Sequence, residues 1–128
     1  MDRQKFAELV SETIDNLPCE FREKLDNVDI IVEDLPSSLQ RKKLRLGNPL
    51  QLLGLYEGVP QTKRGTGYTL VLPDKITLFQ KPIEARCRNL EARIKLEIDE
   101  VIKHEIAHHF GIGEASLLSI ETKKKQES

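Results

Sequence analysis

The stretch KHEIAHHFGIGE, residues 103 to 114, contains all three histidines of a 128-residue chain, His104, His108 and His109, with Glu105 beside them. Residues 104 to 108 read HExxH. On a helix, residues four apart lie on one face a turn apart, so His104 and His108 can present two imidazoles to one cation. Zn²⁺ takes imidazole nitrogen at about 2.0–2.1 Å. Glu105 sits on a neighbouring part of the surface, where in a site of this kind it would act as a base and not as a ligand. It would take a proton from the water that zinc activates and pass it to the leaving group. Zinc lowers the pKa of that water toward ~7, which makes hydroxide available at neutral pH.

Such a site needs a third protein ligand and one open position. In the extended pattern HExxHxxGxxH, the glycine turns the chain so that a residue three further on faces the metal. Here Gly111 follows His108 by three and Glu114 follows Gly111 by three, so Glu114 holds the third-ligand position. A carboxylate oxygen binds Zn²⁺ at roughly 2.0–2.2 Å. The competing reading of His104 and His108 is a pair of surface histidines on a helix. That of Glu114 is an acidic residue favouring the start of a last short helix. His109 lies off the face of the zinc pair and reads as a supporting histidine. Tyr56 has a phenol that can donate to a developing oxyanion, but a strand tyrosine at a buried position is the stronger reading. Cys87 reads as a buried thiol rather than a ligand. Arg41, Lys42, Lys43 and Arg45 form a basic cluster with no aromatic residues interleaved, which fits a solvated face better than a nucleic-acid surface.

The elements that must hold these residues follow from pattern. Phe6, Leu9, Val10, Thr13 and Ile14 recur at helical spacing over residues 2 to 16, with Asp2 as N-cap. Residues 19 to 26 suit a short helix. VDIIVED, 28 to 34, predicts a strand, as do 50 to 58, 68 to 73 and 75 to 80. Between the first two, Pro36, Gly47 and Pro49 break the pattern around a turn of helix that carries the basic cluster. From Pro82 the chain predicts a long helix through the HExxH, with an apolar stripe of Leu90, Ile94, Ile98, Val101 and Ile102 and a stop at Gly111. Residues 114 to 122 suit a final short helix, and 123 to 128 a polar tail.

Composition bounds the class. Hydrophobic residues are 38% and charged residues 32%, which fits one soluble globular domain, placed at residues 1 to 122. A net charge of −1 argues against a protein built mainly to hold nucleic acid. Two cysteines without a CxxC, no signal-like leader and no apolar run near the ~20 residues that span a bilayer predict a cytoplasmic protein with reduced thiols. Nothing in the pattern specifies an oligomeric state.

Several stretches together resemble a known family: NLPCEF (16 to 21), LLGLYEGVP (52 to 60), LPDKITLF (72 to 79), KPIEARC (81 to 87) and HEIAHHFGI (104 to 112). They are similar to the small bacterial zincin-like metallopeptidases with a minimal zincin fold, and the similarity covers most of the chain. The resemblance implies an α+β fold, with a small sheet packed against helices and the HExxH on a central helix. It implies zinc as cofactor, hydrolysis of peptide bonds, and a peptide or protein substrate. That family tends to carry aspartate where this chain has Glu114. The alternative function is a non-catalytic zincin-like module that binds proteins and keeps a structural or vestigial metal site.

Overall fold

A computed structural model describes residues 1–58 and 72–111. It begins with helix α1, Arg3–Asp15, whose N-cap Asp2 accepts a hydrogen bond from the Lys5 amide at 2.7 Å. The helical stripe expected here is the buried one: Phe6, Leu9, Val10 and Thr13 face inward. Thr13 tolerates burial because its hydroxyl donates to the Leu9 carbonyl at 2.7 Å. Pro18 then precedes the short helix α2, Cys19–Lys24, which buries Phe21.

Among the described residues three strands follow: β1 Val28–Glu33, β2 Gly54–Glu57 and β3 Asp74–Phe79. Their order in the sheet is β1-β3-β2. β1 runs parallel to β3 and β2 antiparallel to it, with Ile76 opposite both Ile30 and Tyr56. The central strand is covered on both faces, so Ile76, Thr77, Leu78 and Phe79 are all buried, and it shows no polar alternation. Between β1 and β2 lies helix α3, Ser38–Lys43. The strand expected over residues 50 to 58 is shorter than its pattern. Pro49–Gln51 form a 3₁₀ turn because the Asn48 side chain caps it, accepting from the Leu50 amide at 3.0 Å. The strand expected over 68 to 73 falls almost wholly outside the described residues.

One expectation fails. The helix expected from Pro82 onward is two helices, α4 Gln80–Arg86 and α5 Glu91–Phe110. Arg88 and Asn89 adopt left-handed φ values of 53° and 58°, and the Asn89 amide turns back to the Glu84 carbonyl at 2.9 Å. Asparagine enters this region more readily than most residues, and the bend lets α4 and α5 pack on each other instead of running on as one rod.

α5 is the central helix. It packs against α1, α2, α4, β2 and β3. Ile94, Ile98, Ile102 and Ile106 are fully buried and join Phe6, Phe21, Ile76, Leu78 and Ile83 in one core. The domain is α+β, with a small mixed sheet and helices gathered around the one that carries the HExxH. Both cysteines are free, Cys19 exposed and Cys87 buried. No helix among the described residues is long and apolar enough to cross a membrane.

Candidate functional site

The last turns of α5 divide their residues between core and solvent. Ile102, Ile106 and Ala107 face inward, His104 and His108 are exposed, and Glu105 is half-buried between these two sides. Gly111 ends the helix in a left-handed conformation, φ 68°, with its amide bonded to the Ala107 carbonyl. This is the stop that the glycine predicts.

Strand β2 lies close to this helix because of one residue without a side chain. A Cβ on Gly54 would stand 2.5 Å from Val101 Cγ1 and 3.3 Å from the Thr77 carbonyl oxygen. Two residues further along, the Tyr56 ring stacks on His109, with centroids 3.8 Å apart and planes 13° from parallel. Phe110 meets both rings edge-on, and the Lys24 ammonium lies 5.1 Å from the Phe110 centroid. The Tyr56 hydroxyl donates to Asp74 Oδ2 at 2.9 Å. His109 thus stacks against β2 from a position off the face of His104 and His108, and the Tyr56 hydroxyl is engaged with Asp74.

The gap between β2 and α5 is a cleft of about 610 Å³. Leu52, Gly54 and Val101 line it together with His104, Glu105 and His108. At its far end, Arg86 pairs with Glu97 at 2.9 Å beside Glu100. A second hollow of about 350 Å³ shares Glu105 and His108 but runs toward Leu44 and Leu55. Burial pushes the Glu105 carboxyl above its ordinary range, while His108 and His104 pull the other way.

The three residues of the HExxH thus open on one cleft, two imidazoles a turn apart with a carboxylate beside them. These are donor types that zinc accepts. Among the described residues, no third His, Cys, Asp or Glu joins them in a group able to hold a metal. Glu114 lies outside the described residues. Cys87 is buried and does not line this cleft, and burial raises its thiol pKa. Arg41, Lys42 and Lys43 of the basic cluster sit at the last turn of α3, where cations complement the helix dipole, and Arg45 follows the helix.

A family model of zincin-like metallopeptidases matches residues 25–124. The chain belongs to the zincin-like metallopeptidase family. The matched region runs from just before β1 past the end of α5, so in this zincin-like protein it contains the sheet, the cleft and the whole HExxH. Comparison with curated proteins gives no match. Sequence pattern alone misses Gly54, Val101 and Leu52 as cleft residues. Gly54 within a strand pattern is the one local sign of a close backbone approach.

Proposed function

We propose that this zincin-like protein is a zinc-dependent metallopeptidase that hydrolyses peptide bonds. The observation that carries the proposal is the pairing of His104 and His108 on the exposed face of α5, with half-buried Glu105 beside them, all opening on the cleft beside β2. In this reading His104, His108 and Glu114 hold the metal. Zinc supplies Lewis acidity that polarises a peptide carbonyl and acidifies water. Glu105 takes the proton of the attacking water and returns it to the leaving amine, and its partial burial suits a carboxylate that must carry a proton between steps. β2 has no strand on its outer side among the described residues. An extended peptide can add there, held by main-chain hydrogen bonds that demand no particular side chains. The protein works in the cytoplasm, with neither a membrane nor a nucleic acid as partner.

Glu105→Gln should keep its zinc and lose hydrolysis by about 10²–10⁴-fold, the range of a general base. Retained hydrolysis in that variant sinks the mechanism. Elemental analysis should find one zinc per chain in the wild type and much less in Glu114→Ala. The rival reading, a protein-binding module with a structural or vestigial site, draws on the two donors that the described residues supply. It wins if the purified chain takes up no zinc, or if its zinc has a closed shell with no exchangeable water.

A further inference from the structure

We infer that α3 and the turn after it form a docking surface for an acidic segment of another protein, one whose carboxylates alternate with apolar side chains. The inference depends neither on hydrolysis nor on zinc.

α3 differs from the other helices in what it adds to the fold. α1, α2, α4 and α5 each bury residues, whereas α3 fully buries none. An isolated helix of six residues is unstable in water. This one is held by its reciprocal cap, Ser37 with Gln40, and by Gln40 Nε2, which donates to Glu57 Oε1 at 3.3 Å. The chain thus keeps an ordered helix whose side chains stay at the surface.

Four of the five positions from 41 to 45 are cationic, in a chain whose net charge is −1. Cations elsewhere find carboxylates: Lys5 meets Glu91 at 3.2 Å, Arg86 meets Glu97 at 2.9 Å and Lys95 meets Glu12 at 3.2 Å. Among the described residues no carboxylate pairs with Arg41, Lys42, Lys43 or Arg45, and Arg41 reaches only Ser38 Oγ at 3.5 Å. Crowded like charges repel, and an acidic partner relieves that repulsion. Arg45 is also held at φ 55°, in a turn where the Leu46 amide bonds back to the Arg41 carbonyl at 2.9 Å. Glycine fills such a helix-ending position without strain, so the guanidinium stands there at a backbone cost.

Exposed leucines stand among the cations. Leu39 is 74% exposed and Leu44 43%. Lys42 and Lys43 follow Leu39 by three and four positions, so the three share one side of the helix. This mixture decides the partner. A helix that lies in a lipid surface keeps its apolar and basic faces apart. A surface for single-stranded nucleic acid sets aromatic rings among its cations. α3 has neither arrangement. Carboxylates alternating with leucine-like side chains would meet both kinds of residue at once.

The test titrates the full chain into a fluorescent, end-blocked peptide of Glu-Glu-Leu repeats and reads its anisotropy, with zinc and after chelation. The expected result is saturable binding, the same in both conditions and weakened by added salt. It should be about ten-fold or more tighter than binding to the same peptide with glutamine for glutamate. Lys42→Glu with Lys43→Glu, at two exposed positions, should weaken binding by about ten-fold or more. Arg45→Gly should also bind more weakly yet melt no lower than the wild type, because glycine suits that backbone, so lost binding is told apart from lost folding. Equal affinity for the glutamine peptide overturns the surface, as does full affinity in either variant. Binding that needs zinc overturns it too, since the contact would then lie at the HExxH. Tighter binding to single-stranded DNA, or to vesicles containing phosphatidylserine, overturns the assignment to a protein partner. A wild-type dimer that the double variant separates, with no binding of the peptide, would mean that a second copy covers α3 and would also overturn it.

Discussion

Glu105 is the residue whose surroundings set its chemistry most directly. Burial raises its carboxyl above the usual value of 4.5, so the folded chain holds this proton to a higher pH than the unfolded one. The stability gained this way is fully present below that usual value and is lost as pH rises through the raised one. In metal-free protein, Glu105→Gln should therefore melt with the wild type in acid and at a higher temperature than the wild type at neutral pH. Thermal melts at the two pH values check this, and equal melting at both would mean that burial does not govern the group. At this scale the sequence was informative because His104, Glu105 and His108 need only one helical turn to come together. The stack of Tyr56 on His109 was not legible, since it joins residues 53 positions apart through the tertiary fold.

The approach of β2 to α5 belongs to the scale of elements. It depends on Gly54, where an added methyl would collide with Val101 and press on the carbonyl of Thr77. Gly54→Ala should cost about 1–3 kcal/mol, as overpacking usually does. Val101→Ala in the same chain should return part of it, because the collision is with one methyl group. Denaturant melts of the single and double variants measure the coupling, and strict additivity would deny the contact. The existence of most elements was legible from period and caps: α1 from its apolar stripe and Asp2, β1 from its β-branched run. The division of α4 from α5 was not, because Cys87 to Leu90 contain neither proline nor glycine, and only Asn89 admits a left-handed turn with ease. Strand order was hidden as well, since alternation marks a strand without naming its neighbour.

Across the whole molecule, one polar knot joins the start of α1 to the sheet and to α4. The Arg3 guanidinium donates to Gln80 Oε1 at 2.7 Å and to the Val32 carbonyl at 2.8 Å, and pairs with Asp34. Buried Gln80 in turn donates to the Met1 carbonyl at 2.9 Å and to Glu84 at 2.6 Å. Gln80→Ala strips partners from a guanidinium and a carboxylate together. A loss of about 1–3 kcal/mol is expected in chemical unfolding, the usual range for removing hydrogen bonds to charged groups. No change would mean that water replaces the amide at no cost. No local pattern announces this knot, whose ends lie 77 residues apart.

The order β1-β3-β2 also has a consequence for the chain as it is being made. The strand that both others need is the last of the three to be synthesised. Among the described strands, β1 and β2 lack their shared neighbour until residue 79 emerges, and the edges that it covers stand open to capture by a neighbouring nascent chain. A ribosome paused before residue 74 would present β1 and β2 without the strand that joins them.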